Sequence, residues 1–161
     1  LDKSAPPVFG TRKELYDKLA ARKREMSAEA YRMAREIAAW KRKVSAAWDQ
    51  VCIVDVQRVK IDKEAVCVGE KYRFSVTVDI ANLRPEDIGV EMVIARQIVG
   101  GQGVNVVRTI RLERTRTDNN LVTYALDYTP DETGTFDVAL RIYPCNPHLP
   151  HRMDFALVKW A

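Results

Sequence analysis

KYRFSVTVDI, residues 71–80, alternates apolar and polar side chains without interruption. Its apolar side chains fall on one face of an extended chain: Tyr72, Phe74, Val76, Val78 and Ile80. This alternation is typical of a β-strand with one face in a hydrophobic core. Strand-like spacing dominates after residue 50, whereas helical spacing dominates before it. The sequence therefore predicts a helical arm followed by an all-β domain.

Apolar runs recur to the end of the chain, separated by turn signals every ten or so residues. The predicted strands cover residues 51–59, 72–80, 88–94, 104–114, 121–128, 136–142 and 153–160. A polar turn at 118–120 is predicted to join two of them as a hairpin, and turns are also expected at 82–87 and 129–134. Because no helical pattern interrupts this series, we expect an antiparallel, immunoglobulin-like β-sandwich of about seven strands.

A two-helix arm is predicted to precede the sandwich. Thr11 and Glu14 have capping-box spacing, which predicts a short helix that ends near Met26. Ser27 is expected to cap a second helix with a broad apolar stripe: Met33, Ile37, Trp40, Val44, Ala47 and Val51, with Trp48 beside it. Since the chain offers no other helix of similar length, this stripe should dock on the β domain or on a structure outside the sequence.

Composition places the chain among ordinary soluble proteins, with 161 residues, 47% hydrophobic and 30% charged. It contains neither a transmembrane run nor a signal peptide, so we expect a cytoplasmic protein with no membrane partner. The first residue is Leu rather than Met, which suggests a fragment or a processed product. Three cysteines, Cys52, Cys67 and Cys145, are an odd number at irregular spacing, and we expect free, buried thiols.

The net charge of +4 is confined to the arm, where residues 1–50 carry 12 Lys and Arg against 7 Asp and Glu. A basic stretch at 41–43 could contact phosphate or an acidic partner. Charges that interrupt an apolar stripe at helical spacing are more typical of a solvated helix face. We therefore expect no nucleic-acid partner.

Two patterns resemble ligand sites. The glycine-rich residues 100–103 lie between strands and lack the Lys-Ser/Thr of a phosphate-binding loop, so we expect a hairpin loop. Cys145, His148 and His151 are three apart and are of metal-ligand type. Prolines between them favour an extended loop and no fourth ligand is evident, so the two histidines are expected to hydrogen-bond to loop backbone or to remain exposed.

Catalytic patterns are weaker still. Adjacent carboxylates occur at 86–87 and 131–132, but each pair follows a proline in a turn, where acidic residues commonly make local hydrogen bonds. No serine lies in a nucleophile-elbow motif. Tyr143 and Trp160 could stack on sugars, although aromatic residues beside strand positions more often pack in a core. We predict no catalytic, cofactor-binding or metal-binding residue in this chain.

Several segments resemble the C-terminal region of bacterial-type α-glucan (glycogen or maltodextrin) phosphorylases. The helix signature is Ile37-Ala38-Ala39-Trp40-Lys41 followed by Val44 and Trp48, and a second match is Pro85-Glu86-Asp87-Ile88-Gly89-Val90-Glu91. The longest match is the end of the chain, with TGTF at 133–136, LRIYP at 140–144, PHLPHRMD at 147–154 and LVKWA at 157–161. The resemblance covers most of residues 31–161, and the predicted helix 15–26 fits the family's preceding helix.

This resemblance implies a parent enzyme that transfers glucosyl units between an α-1,4-glucan and phosphate, giving glucose 1-phosphate with pyridoxal phosphate held in a catalytic region. No motif of that region matches this chain, which should be inactive alone and hold no cofactor. We expect a flexible lead-in (1–10), a helical arm (11–50) and a non-catalytic accessory domain (51–161). The implied partners are the parent's catalytic region, a homo-oligomer and an α-glucan. The alternative is a carbohydrate-binding module that anchors the enzyme to glycogen.

Overall fold

A computed structural model describes residues 11–59, 68–98, 100–132 and 136–161. The predicted lead-in at 1–10, Cys67 and the end of the predicted turn at 133–134 lie outside these residues. Two compact units divide the chain, one extending to Trp40 and the other comprising Lys41–Ala161. No helix within the described residues is long and apolar enough to cross a membrane.

A single helix, α1 (Arg12–Ala47), replaces the predicted two-helix arm, and a 3-10 turn (Trp48–Gln50) follows it. The capping box at its start is confirmed: Thr11 N–H donates to Glu14 Oε2 at 3.0 Å, and Glu14 N–H donates to Thr11 Oγ1 at 3.3 Å. The predicted break at Ser27 is wrong. Neither Gly nor Pro occurs in the 36 residues of α1, and strong helix formers surround Ser27, so nothing ends the helix there.

The described residues of the second unit form eight strands, where about seven were predicted. They are β1 (Cys52–Val59), β2 (Tyr72–Asp79), β3 (Ile88–Gln97), β4 (Val104–Arg111), β5 (Glu113–Asp118), β6 (Leu121–Tyr128), β7 (Asp137–Pro144) and β8 (Lys159–Trp160). One sheet has the order β1-β2-β6-β5 and the other β4-β3-β7-β8, with antiparallel pairing throughout. The prediction of a mainly β protein with an N-terminal helical part is confirmed.

The predicted strand 104–114 is two strands in different sheets. Its first part, β4, pairs with β3, and its second part, β5, pairs with β6. The change occurs at Leu112, whose side chain is buried and whose N–H donates to Val90 O at 2.9 Å. The predicted hairpin is therefore β5–β6 alone. Alternation shows that a segment is extended but not which sheet it joins, which explains the error.

The predicted strand 153–160 is also shorter than expected. A 3-10 turn (Arg152–Asp154) opens this segment, and only the two residues of β8 pair with β7. Asp154 stabilises the turn, because its Oδ2 accepts the N–H of His151 at 3.1 Å. This local hydrogen bond competes with extended pairing at the start of the segment.

The core follows the predicted alternation. The apolar face of β2 is buried, and every residue of β3 from Ile88 to Ala95 is buried, including Glu91. The cysteines differ from expectation: Cys52 is a free thiol but is exposed, and Cys145 is partly exposed. Cys52 lies on β1 directly opposite Asp79 of β2, on the face of the sheet that points away from the core.

Tyr124 on β6 carries a buried hydroxyl with no hydrogen-bond partner among the described residues. Its side chain is 4% exposed, and burial raises the pKa of the phenol from 10.0 to about 12. An unpaired buried hydroxyl destabilises the folded state. Tyr72 offers a contrast on the neighbouring strand, since its hydroxyl donates to Glu70 Oε2 at 3.2 Å.

We expect Tyr124→Phe to raise the free energy of unfolding by about 1 kcal/mol at neutral pH, because it removes that hydroxyl. The raised pKa adds a pH dependence: above the ordinary phenol pKa the unfolded chain ionises first, so the wild type loses stability as pH rises towards about 12. The variant should lack this loss. Urea unfolding at neutral pH and at about pH 11 measures both effects. Tyr72→Phe is the control and should be neutral or destabilising; equal gains in both variants would contradict the assignment.

Candidate functional site

A group of charged and aromatic side chains lies where β3 and β7 meet the C-terminal segment. Glu91 on β3 stands directly opposite Arg141 on β7 in the antiparallel register. Both Arg141 Nε and Arg152 Nη1 donate to the same oxygen, Glu91 Oε1. The Glu91 side chain is 5% exposed, against 22% for Arg141 and 40% for Arg152. We call these three residues the Glu91 triad.

The Glu91 triad fixes the C-terminal segment to the sheet. Removing a carboxylate from water is costly, and two cations with direct hydrogen bonds offset that cost. The hydrogen bond to Glu91 raises the pKa of the Arg152 guanidinium above its usual value. Because Arg152 belongs to the 3-10 turn rather than to the sheet, the pair ties the turn to β3.

Aromatic rings surround the two arginines. The Arg152 guanidinium lies 5.2 Å from the centroid of Tyr143, and that of Arg141 lies 5.6 Å from the centroid of Trp160, within cation–π range. Gly89 makes room for Tyr143, because a Cβ at that position would lie 2.5 Å from the ring atom Cζ. Burial raises the pKa of the Tyr143 phenol, which stays a neutral hydroxyl.

These side chains enclose a cavity of about 170 Å³, bounded by Arg141, Tyr143, Arg152, residues 155–158 and Trp160. Trp160 is 54% exposed, so part of its ring is open to solvent. Within the described part of the chain, the cavity wall includes no lysine. The residues present therefore do not fit pyridoxal phosphate, which proteins bind through a lysine. The wall combines two arginine donors with apolar and aromatic side chains.

The C-terminal segment also contacts the end of α1. Lys41 Nζ donates to Asp154 O at 2.9 Å and lies 5.6 Å from the centroid of Phe155. Lys159 Nζ donates to Val51 O and lies 6.0 Å from the centroid of Trp48. The apolar stripe was expected to dock on the β domain or on a structure outside the sequence, and at its C-terminal end Trp48 and Val51 are buried in this unit. We call these lysine contacts the C-terminal clasp.

The adjacent carboxylates considered for catalysis are all in ion pairs. Glu86 pairs with Arg114 at 3.1 Å, Asp131 with Arg108 at 3.0 Å, and Glu132 with Arg96 at 3.1 Å. Asp87 is buried, and its Oδ2 accepts the N–H of Arg84 at 3.0 Å while Lys43 Nζ lies 3.9 Å away. The expected local hydrogen bonding is confirmed for Asp87.

The other ligand-like patterns form loops. Backbone bonds between Ile98 and residues 101 and 103 close a hairpin loop between β3 and β4, as predicted. His148 and His151 are exposed, and their backbone N–H groups donate to Asn146 Oδ1 at 2.9 Å and Asp154 Oδ2 at 3.1 Å. Among the described residues, which include Cys145, no three His, Cys, Asp or Glu side chains gather into a metal-binding group.

The family described as "Glycogen phosphorylase C-terminal domain" matches residues 48–161, which include the Glu91 triad and much of the C-terminal clasp. The chain belongs to this family. The resemblance to phosphorylases expected from the sequence is confirmed.

Two enzymes illustrate the relationship. Maltodextrin phosphorylase of Thermococcus litoralis is 27% identical over 169 residues, covering 98% of this chain and 19% of that protein. Glycogen phosphorylase of Mycobacterium tuberculosis is 28% identical over 129 residues, covering 80% of this chain and 15% of that protein. The chain thus spans less than a fifth of the length of the curated relatives it matches.

Sequence reasoning missed the Glu91 triad and the role of Arg152. One signal was present: Glu91 interrupts an otherwise apolar run in β3, and a charge inside a buried strand requires a partner. Its partners lie 50 and 61 residues away along the chain, so spacing alone could not identify them.

We expect Glu91→Gln to lower the free energy of unfolding by about 2 kcal/mol, because two arginines lose their shared carboxylate in a partly buried site. Chemical denaturation measures the change. Glu132→Gln is the matched control: its ion pair with Arg96 is exposed on both sides, so its loss should cost less than about 1 kcal/mol. Similar small losses in both variants would show that the triad contributes little.

Proposed function

We propose that this chain is a non-catalytic accessory domain of an α-glucan phosphorylase, which stabilises the enzyme or its assembly. The parent, a cytoplasmic glycosyltransferase in this proposal, would release glucose 1-phosphate from α-1,4-glucan. Pyridoxal phosphate would belong to the parent's catalytic region. Support comes from the family match, from the share of each relative that the chain spans, and from the structural use of the described carboxylates.

The fold proposed for this domain is an immunoglobulin-like sandwich. Its first sheet has the chain order of strands A-B-E-D and its second that of C′-C-F-G, the arrangement of immunoglobulin-like domains. The change of sheet at Leu112 supplies the connection from C′ to D. Such sandwiches serve many functions, so this topology supports a compact accessory domain but does not identify its function.

One observation carries the structural role. In the first unit, α1 exposes large apolar side chains along one side: Tyr16, Leu19, Met26 and Met33 are 64%, 55%, 64% and 38% exposed. Tyr31 is also exposed outside this row, but a row of large apolar side chains on one helix face is typical of an interaction surface. The interaction surface lies N-terminal to Trp40 and Trp48, which are already buried.

A second candidate is carbohydrate binding at the cavity beside the Glu91 triad. The half-exposed Trp160 ring and the nearby arginine donors favour it, because sugars are bound by aromatic faces together with polar hydrogen bonds. The names of the relatives, maltodextrin and glycogen phosphorylase, suggest a glucan as ligand.

If the role is structural, changes on the interaction surface should lower the stability or assembly of the enzyme and leave its catalytic activity nearly unchanged. In a phosphorylase that carries this chain after a catalytic region, Leu19→Lys with Met26→Lys should lower Tm by several degrees, or disrupt assembly, while activity at low temperature changes less than about twofold. Ala28→Lys, on another face of α1, is the control and should have no such effect. Unchanged Tm and assembly in the double variant would contradict the proposal, as would glucose 1-phosphate release by the 161-residue chain alone.

The carbohydrate candidate predicts that maltoheptaose binds the chain with a dissociation constant below several millimolar in calorimetric titration. Trp160→Ala should weaken binding about tenfold or more, equivalent to about 1.4 kcal/mol. Val158→Ala removes a smaller side chain from the same cavity wall and should change affinity less. Absence of binding to the wild type, or equal affinity in all three proteins, removes this candidate.

A further inference from the structure

The apolar stripe of α1 follows a seven-residue repeat. One series of positions, spaced by seven, contains Tyr16, Lys23, Ala30, Ile37 and Val44, and the other contains Leu19, Met26, Met33, Trp40 and Ala47. These are the a and d positions of a heptad repeat, and Lys23 is the one polar residue among them. A heptad sustained over more than four repeats is the pattern of a helix that packs lengthwise against another helix.

The two halves of this repeat differ in burial. Trp40, Val44 and Ala47 are buried, whereas Tyr16, Leu19 and Met26 are more than half exposed. The exposed half therefore has the surface of a coiled-coil helix without a cover from the described residues. Beside it, the e positions hold the small, exposed residues Ala20, Ser27 and Ala34, which would let a second helix approach closely.

We propose that this exposed half pairs with the same segment of a second copy of the chain, in antiparallel orientation. The inference rests on the proposed structural role and names its partner. A twofold axis near residues 24 and 25 places Tyr16 of one copy opposite Met33 of the other. The same axis places Leu19 opposite Ala30, and Lys23 opposite Met26. The arrangement is self-complementary, as a twofold interface requires.

Charge favours this orientation over a parallel pair. The g positions flanking the stripe include Arg22 and Glu29. In the antiparallel pair, g positions face each other, so Arg22 of each copy lies near Glu29 of the other, giving two interhelical ion pairs. In the single chain, Glu29 Oε1 lies 3.8 Å from Arg32 Nη2 of the same helix, and both side chains are exposed. In the dimer, Arg22 of the other copy would replace Arg32 as its partner. A parallel pair in register would place Lys23 directly opposite Lys23, whereas the antiparallel pair offsets the two lysines by three residues, about 4.5 Å along the helix axis.

The test is sedimentation equilibrium of the 161-residue chain over a wide concentration range. We expect a reversible monomer–dimer equilibrium. Met26→Lys should abolish the dimer, because it places a second lysine beside Lys23 of the other copy. Ala28→Lys adds the same charge on another face of α1 and should leave the dimer intact. Since Met26 is exposed, both variants should retain wild-type circular dichroism.

Charge reversal tests the orientation. Arg22→Glu should weaken the dimer about tenfold, and adding Glu29→Arg in the same chain should restore it. A chain that stays monomeric throughout overturns the inference, as does a dimer that Met26→Lys leaves unchanged or a double reversal that fails to restore affinity. If the chain is monomeric but Leu19→Lys with Met26→Lys still lowers Tm of the longer enzyme, the structural role stands and its partner is the catalytic region.

Discussion

The buried carboxylate of Glu91 is the constraint on which the C-terminal half of the fold depends. Glu91 lies within β3, between apolar residues that are all buried. Its charge must therefore be neutralised there. Arg141 supplies one cation from the paired strand, and Arg152 supplies the other from the 3-10 turn. The C-terminal segment cannot detach from β3 without leaving this charge with half of its partners, so the triad fixes that segment more firmly than pairing alone.

This constraint explains how a two-residue strand, β8, can close the sheet. Short edge strands contribute little pairing: β8 pairs with β7 at two positions, and reciprocal backbone bonds between Leu140 and Ala161, at 3.1 and 2.8 Å, follow directly after it. The segment before β8 is held at Arg152, and Lys159 within β8 binds the backbone at Val51. The end of α1 and the end of the chain, two of the segments that resemble phosphorylases, are thus parts of one contact.

The sequence predicts those features of this fold that are determined by residues close together along the chain. The β2 face and the capping box at Thr11 follow from residues a few positions apart, and both are present. The break at Ser27 was wrong because one serine has too little effect to end a helix that lacks Gly and Pro. The change of sheet at Leu112 and the Glu91 triad arise from contacts between distant residues, which alternation and spacing do not encode.

α1 is 36 residues long, and its buried residues all lie near its C-terminal end. Helices in proteins gain most of their stability from packing of an apolar face rather than from intrinsic propensity, and isolated helices are only marginally stable. The C-terminal part of α1 has such packing at Val44 and Ala47, and its N-terminal part continues the same heptad without a cover from the described residues. Leu19 and Met26 are more than half exposed on the same face of α1 that Val44 and Ala47 bury further along. Exposed apolar side chains at heptad positions are the pattern of a helix that packs against another helix.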